Sequence, residues 1–186
     1  MEPGTTKGAQ FFVRAGRRGA TDGPFCALLR ASLQMPFPYK RILCPVDFDE
    51  FSVAALREAA ALALSSGATL QVLHVVSATP PLDEAATGGL AVGEVYEPQM
   101  RIAREQLDKM LATIPKKIAL ESSIEFGNPA ALTLNLQSKL KPDLVVMATH
   151  GRRGLKHLVL GSVAETVVRE SRVPVLTIRP THDHDS

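Results

Sequence analysis

Residues 144–162, LVVMATHGRRGLKHLVLGS, carry the strongest structural signal in this chain. The apolar run 144–147 predicts a buried strand, Gly151 and Gly154 let the next loop bend, and Gly161 opens a predicted helix. In such an arrangement backbone N–H groups and the positive end of a helix dipole converge on an anion, most commonly phosphate. Neither common phosphate fingerprint, GxxxxGK[ST] or GxGxxG, is present. The stretch therefore predicts an anion site built on a parallel α/β sheet.

Strand-like and helix-like segments alternate from Lys40 onward. Residues 80–98 are rich in glycine, proline and acidic residues and predict a long loop. The predicted strands are 42–48, 69–76, 118–126, 144–147 and 173–178, and the predicted helices are 52–65, 99–114, 130–140 and 162–170. Five strands with intervening helices predict a doubly wound, open five-stranded parallel sheet with helices on both faces.

The spacing within the glycine loop resembles that of a known family. The loop contains His150-Gly151, then nine residues, and then Gly161-Ser162. This spacing resembles the signature G-x-x-G-x9-G-[ST] of nucleotide-binding universal stress proteins. Ala148 stands where this signature has its first glycine. Supporting segments are 42–47, 73–76, 127–129 and 173–176, so the resemblance covers about residues 40–180.

The resemblance implies strand order 3-2-1-4-5, which places a ligand crevice between the first and fourth strands, where the winding reverses. It implies binding of ATP or AMP with magnesium. A methyl group at Ala148 is then expected to narrow the room for ribose or phosphate. By this resemblance, Pro45 and Asp47 would contact the ribose and adenine, and Val75 would line the base pocket. Met147 and Ala148 would flank the base and the sugar. The phosphates would be bound by Gly151, Gly161, Ser162 and Val163, with His150 beside them.

Several of these residues also have a purely structural interpretation, which the sequence leaves open. Ser162 and Glu165 form the pattern S-x-x-E of a capping box. Asp47 and Asp49 suit the N-terminus of the first helix, and His74 suits a hydrogen-bonded position in the core. The loop residues His150, Arg152, Arg153 and Lys156 suit solvent as well as phosphate.

Composition restricts the class of partner. The chain has 186 residues, 45% of them hydrophobic, which suits one domain. Residues 1–39 hold five basic and two acidic residues, a charge of +3, whereas the whole chain has a formal net charge of +2. The remainder, at −1, is therefore nearly neutral. With no tryptophan and 5% aromatic residues, no nucleic-acid surface is expected. No apolar run reaches the roughly 20 residues of a membrane span. Cys26 and Cys44 form no disulfide framework, which favours a reducing cytoplasm.

The sequence divides into three regions. Residues 1–39 are predicted to be a disordered basic extension that precedes the first predicted strand without contributing to it. It is either a dispensable tail or a segment upstream of a true start at Met35, with a transit peptide as a more remote alternative. Residues 40–180 are the predicted nucleotide-binding domain, and residues 181–186 are a frayed tail.

Binding is the predicted activity, because neither a Ser-His-Asp order nor a metal cluster is evident in the sequence and any ATPase would be slow. The expected function is an adenine-nucleotide-binding regulator of the stress response. The alternatives are a nucleotide-independent dimeric interaction or chaperone-like protein and, more remotely, an electron-transfer flavoprotein-like fold. The final strand, from Val173 to Ile178, is expected to lie at the sheet edge, where a second copy would cover it to form a homodimer.

Overall fold

A computed structural model of the chain describes residues 12–14, 38–77, 92–149 and 161–178. These residues form strands and helices in alternation after a short first strand. In chain order the elements are β1 (Phe12–Arg14), β2 (Arg41–Val46), α1 (Glu50–Ser66), β3 (Thr69–Ser77), α2 (Val92–Leu111), β4 (Leu120–Gly127), α3 (Pro129–Leu140), β5 (Leu144–Ala148), α4 (Ser162–Glu170) and β6 (Val175–Ile178).

The strands form one sheet in the order β1-β6-β5-β2-β3-β4. Strands β2 to β6 are parallel to one another, and their order corresponds to 3-2-1-4-5 in the numbering of the five predicted strands. The predicted fold class is therefore confirmed. The winding reverses between β2 and β5, since the chain builds outward from β2 through β3 to β4 and then returns to add β5 and β6 on the other side.

Strand β1 is a difference from the sequence-based expectation. The basic extension was expected to contribute no strand, yet Phe12–Arg14 pairs antiparallel with β6. At these three residues the expectation of disorder is wrong. Phe12 and Val13 are residue types that favour strands, and the outer edge of β6 offers backbone groups that need partners. The rest of the extension up to residue 37, and the tail 181–186, lie outside the described residues.

Side chains alternate between two apolar layers, one on each face of the sheet. The first layer packs under α1 and α2, and the second packs under α3 and α4. The first includes Ile42, Cys44, Val46, Leu56, Leu70, Val72, Leu107, Leu144, Val146 and Ala148, and the second includes Leu43, Leu73, Val145, Met147, Ala164, Val167 and Val175. Burial on both faces explains why the strands read as nearly continuous apolar runs in the sequence.

Helix limits follow local capping chemistry. Helix α1 starts after Asp49, whose carboxylate accepts a hydrogen bond from the Ser52 N–H, and it ends at Gly67 in the left-handed region, at φ 69°. The largest error in the predicted limits concerns α2, which begins at Val92 rather than at residue 99 and contains Pro98. Proline removes an intrahelical N–H, which is why the sequence placed a loop there. The residues before Val92 back to 78 lie outside the described part.

Candidate functional site

The carboxyl ends of β2 and β5 separate from each other, whereas their amino ends are joined. At the amino ends, Asp143 Oδ2 accepts hydrogen bonds from the backbone N–H groups of Lys40 at 2.7 Å and Arg41 at 3.0 Å. Between these two described strands, residues pair only at Ile42–Leu144 and Leu43–Val145, although both strands continue for three more residues. A crevice can therefore open beyond this point, at the topological switch where open α/β sheets bind ligands.

Asp47 lies at the mouth of this crevice, directly after β2, and is exposed. Its Oδ1 accepts a hydrogen bond from the Ser52 hydroxyl and a longer one, 3.4 Å, from the Asp49 N–H. In the reverse direction, the Asp47 N–H donates to Ser52 Oγ at 3.1 Å. These contacts hold the carboxylate in a fixed position without burying it. Asp47 can therefore present an acceptor to hydroxyl groups that enter from solvent.

Asp49 has the structural role that the sequence left open for both aspartates. Its Oδ1 accepts from the Ser52 N–H at 2.6 Å and caps α1. The two carboxylates, two residues apart, therefore have different roles: Asp49 caps the helix, and Asp47 accepts from the Ser52 hydroxyl. Ser52 joins them, since its N–H serves Asp49 and its hydroxyl serves Asp47. Sequence reasoning treated Ser52 only as the start of a helix and missed this role.

Phe48 follows Asp47 and packs against the first apolar layer. Its φ of 68° is unusual for an aromatic residue and turns the chain sharply between Asp47 and Asp49. The Phe48 ring stacks on His74, with ring centroids 3.9 Å apart and an interplanar angle of 27°. No sequence signal points to this turn, because the left-handed region favours glycine and asparagine rather than phenylalanine.

His74 is the core histidine that the sequence favoured over a ligand. It is 9% exposed, and its Nδ1 lies 2.9 Å from the Val46 carbonyl oxygen, to which it donates as the Nδ1–H tautomer. Burial lowers the pKa of His74, and the hydrogen bond to Val46 and the charge of Asp47 oppose that effect. The ring is therefore neutral at physiological pH and links the end of β2 to Phe48.

Three predicted site residues from three different elements meet in the second apolar layer. Met147 of β5 is buried in this layer, and the half-buried Val75 of β3 and Val163 of α4 pack against it. Pro45 of β2 lies two residues beyond Leu43, so it shares that face of the sheet. Because Val75 and Val163 are half-buried, part of this apolar layer remains accessible to solvent.

Ala148 does not belong to this face. Its side chain packs in the first layer, together with Val46 and Leu56, and is 9% exposed. Neighbouring strand residues point to opposite faces, so the methyl group lies on the other side of the sheet from Met147. We therefore expect this methyl group to leave the crevice open, and the variant Ala148→Gly tests that expectation.

The N-terminus of α4 differs from the predicted capping box. Gly161 is the N-cap, Ser162 is the first helical residue and is exposed, and among the described residues no side chain caps this end of the helix. The Glu165 N–H donates to the Gly161 carbonyl at 2.8 Å, as an ordinary first turn requires. Gly161 has φ −57° and ψ 150°, which any residue can adopt, so backbone strain does not explain a glycine here. The start of α4 therefore retains backbone donors without a side-chain acceptor.

His150 and Gly151, as well as the basic residues at 152, 153 and 156, lie outside the described residues. Within the described ranges, no group of three or more metal-binding side chains is found, and none of the helices there combines the length and apolar character needed to cross a membrane.

Cys44 is a buried free thiol, and burial raises its pKa to about 12, so it is not a nucleophile.

Comparison with known proteins agrees with this architecture. The model of the Universal stress protein family matches residues 38–179. Universal stress protein MJ0531 of Methanocaldococcus jannaschii is 32% identical over 142 residues, which cover 76% of this chain and 82% of that protein. The solved structure of protein MJ0577 superposes with a TM-score of 0.66 at 24% identity and covers 78% of this chain and 99% of that one.

A universal stress protein in complex with cAMP superposes with a TM-score of 0.53 at 23% identity, over 76% of this chain and 97% of that one. At this level of identity the two structural matches show the fold alone. The family match spans most of the chain, and the MJ0531 relative exceeds 30% identity over three quarters of it. On these grounds the chain is a member of the universal stress protein family.

Proposed function

We propose that this protein binds an adenine nucleotide, ATP or AMP with magnesium, in the crevice between β2 and β5, and acts as a regulatory module of the stress response. One observation carries the proposal: the fixed carboxylate of Asp47 directly follows β2, and β5 leads into α4, so both chain segments leave the strands that border the topological switch point. The second apolar layer, with the half-buried Val75 and Val163, supports it. A related fold in complex with cAMP supports the choice of adenine nucleotides.

The chemistry of these residues fits the three parts of a nucleotide. The Asp47 carboxylate accepts hydrogen bonds from vicinal ribose hydroxyls. The apolar layer formed by Val75, Met147 and Val163 accommodates the base. The backbone N–H groups at Gly161 and Ser162 and the dipole of α4 favour phosphate, with His150 and Gly151 as the remaining predicted contacts. Magnesium would be held through phosphate oxygens and water, as is usual for this ion.

Binding rather than turnover is the proposed activity, with at most slow ATP hydrolysis. Phosphoryl transfer requires a positioned water and cations that neutralise developing charge. The side chains described around the crevice supply one carboxylate, which faces the ribose end. Occupancy itself would then be the signal that a partner reads. The buried free thiol of Cys44 suits the reducing cytoplasm proposed for this module.

The alternative is a nucleotide-independent dimeric interaction or chaperone-like protein in which Ala148 closes the pocket. Packing of the Ala148 methyl group in the first apolar layer favours nucleotide binding over this alternative.

Isothermal titration with ATP, ADP, AMP and cAMP, with and without magnesium, tests the proposal directly. The informative variant is Gly161→Ser, because serine is among the best N-cap residues and its hydroxyl would occupy the donors that we assign to phosphate. We expect Gly161→Ser to raise the melting temperature and weaken ATP binding, while adenosine binding is unchanged.

Gly161→Val serves as the steric counterpart, since valine tolerates the backbone angles of Gly161 but adds bulk at the proposed phosphate position. We expect folded protein with little ATP affinity. If both variants bind ATP as the parent does, phosphate does not lie at α4. If the parent binds none of the four nucleotides, the proposed function is wrong.

A further inference from the structure

The outer edge of β6 is occupied by the chain's own extension. Antiparallel pairing joins Phe12 to Thr177, Val13 to Leu176 and Arg14 to Val175. On its other side β6 pairs with β5 over its four residues. Without β1, β6 would be the edge strand of the sheet, with its outward backbone groups unpaired. Phe12–Arg14 therefore covers the edge at which the sequence suggested a homodimer.

The edge offers a partner little besides its backbone. All four residues of β6, Val175, Leu176, Thr177 and Ile178, are buried, with exposures between 1% and 8%. Val175 belongs to the second apolar layer, and Leu176 and Ile178 belong to the first. Any strand that pairs with β6 must therefore use the same few N–H and C=O groups, so two strands cannot pair with this edge together.

We propose that β1 is an intramolecular cap that keeps the β6 edge from pairing with a second copy of this chain. The N-terminal extension would then control self-association, and a chain initiated at Met35 would lack the cap. This inference is independent of nucleotide binding, because the β6 edge lies on the far side of β5 from the crevice.

Tethering gives the cap its advantage over a second copy. Residues 15–40 join β1 to β2 covalently, so the competing strand is always present, at an effective concentration on the order of 1 mM, as is usual for linked binding segments. A symmetric pairing of two β6 edges requires both copies to lose their caps. The apparent dissociation constant of the dimer is therefore the intrinsic one divided by the square of the fraction of molecules whose cap is open. A cap closed in about 90% of molecules raises it about 100-fold.

The test is a pair of substitutions in the full-length chain, Phe12→Pro together with Val13→Pro. Successive N–H groups of a strand point to opposite edges, so one of the two prolines removes a donor that faces β6, whichever register the hydrogen bonds follow. The control is Ala20→Pro with Thr21→Pro, which adds the same two prolines to the same extension outside β1. Substitutions in β6 would be a poor test, because its side chains are buried in the core.

We expect the parent and the control to be monomers at about 10 µM by light scattering, and the Phe12→Pro/Val13→Pro variant to dimerise with a dissociation constant at least about tenfold lower. The inference is overturned if the parent and this variant share one oligomeric state, or if the parent is the dimer and the variant the monomer.

Amide hydrogen exchange gives an independent readout and checks that the variant is folded. Of the adjacent amides of Leu176 and Thr177, one faces β1 and the other faces β5. In dilute variant we expect the amide that faces β1 to lose protection and the one that faces β5 to keep it. Protection should return as the concentration rises. Equal protection in the parent and the dilute variant would show that β1 does not cap β6.

Discussion

Replacement of Asp47 by alanine separates the proposed site from the fold, because a second aspartate two residues away provides a matched control. Asp47 is exposed at the mouth of the crevice and is held by the Ser52 hydroxyl, whereas Asp49 caps α1. We expect Asp47→Ala to weaken binding of every ribose-containing ligand, ATP, AMP and adenosine alike, by a similar factor. We expect Asp49→Ala to leave those affinities unchanged.

The magnitudes follow from the contacts of each carboxylate. Hydrogen bonds from ribose hydroxyls to an exposed, ionised acceptor are worth about 1–3 kcal/mol together, which corresponds to about 5- to 150-fold in affinity. Loss of the N-cap in Asp49→Ala should cost about 0.5–2 kcal/mol of unfolding free energy. Asp47→Ala leaves the buried Ser52 hydroxyl without this acceptor, although the Asp47 N–H still donates to it, so we expect a cost of about 1 kcal/mol.

Titration calorimetry and urea unfolding, performed on the same preparations, measure the two quantities separately. The assignment predicts a large change in affinity for Asp47→Ala and a pure loss of stability for Asp49→Ala. An Asp47→Ala protein that binds ATP and adenosine like the parent would refute the ribose assignment. Equal losses of affinity in the two variants would mean that the turn as a whole, rather than one carboxylate, supports binding.

Three further outcomes are expected, each from a different residue. Ala148→Gly should leave ATP affinity unchanged, because the methyl group packs opposite the crevice, and should lower the free energy of unfolding by about 1–2 kcal/mol through added backbone freedom and lost burial; tighter ATP binding would contradict this. In a Cys26→Ser background, Ellman's reagent should modify Cys44 only after unfolding, since burial raises the pKa of its thiol to about 12; rapid reaction of the folded protein would be inconsistent with that burial. Because burial lowers the pKa of His74 below its unfolded value of 6.5, the unfolded chain binds the proton more readily, so its contribution to stability is complete above about pH 6.5 and falls below it. His74→Asn should make the melting temperature less sensitive to acid, and an unchanged dependence would assign the effect to other groups.

Periodicity was sufficient to predict the five parallel strands, because parallel strands that are buried on both faces have nearly continuous apolar sequences. Their order came from the resemblance to the family. Helix α4 was predicted at its observed limits, from Ser162 to Glu170. Strand β1 was not predictable in the same way. Three residues carry too little local pattern, and Phe12–Arg14 forms a strand only because the edge of β6 accepts it. The start of α2 was missed because Pro98 reads as a helix breaker although the helix continues through it.

The errors within the site have a common physical origin. The sequence identified the residues that follow each strand, but it did not show which face of the sheet each one serves. Ala148 was therefore expected beside the ligand, although strand alternation places it with Val46 in the opposite layer. Likewise, S-x-x-E fits a capping box with Ser162 as the N-cap, yet the helix starts one residue earlier than such a box requires, with Gly161 as the cap. The face that a strand residue occupies and the residue that caps a helix both change when an element shifts by one residue. A sequence pattern does not locate the ends of elements with that precision.

The two polar ends of the crevice set a direction for whatever binds between them. Asp47 brings negative charge to the end of β2, where phosphate would be repelled and hydroxyl groups are accepted. The N-terminus of α4 has the opposite character, with exposed donors and the positive end of the helix dipole. The apolar residues Val75, Met147 and Val163 lie on the face between these elements and favour a flat base over water. Under the proposed function a nucleotide would bind in one orientation, because its reversal would place phosphate against a carboxylate and leave the α4 donors without an anion.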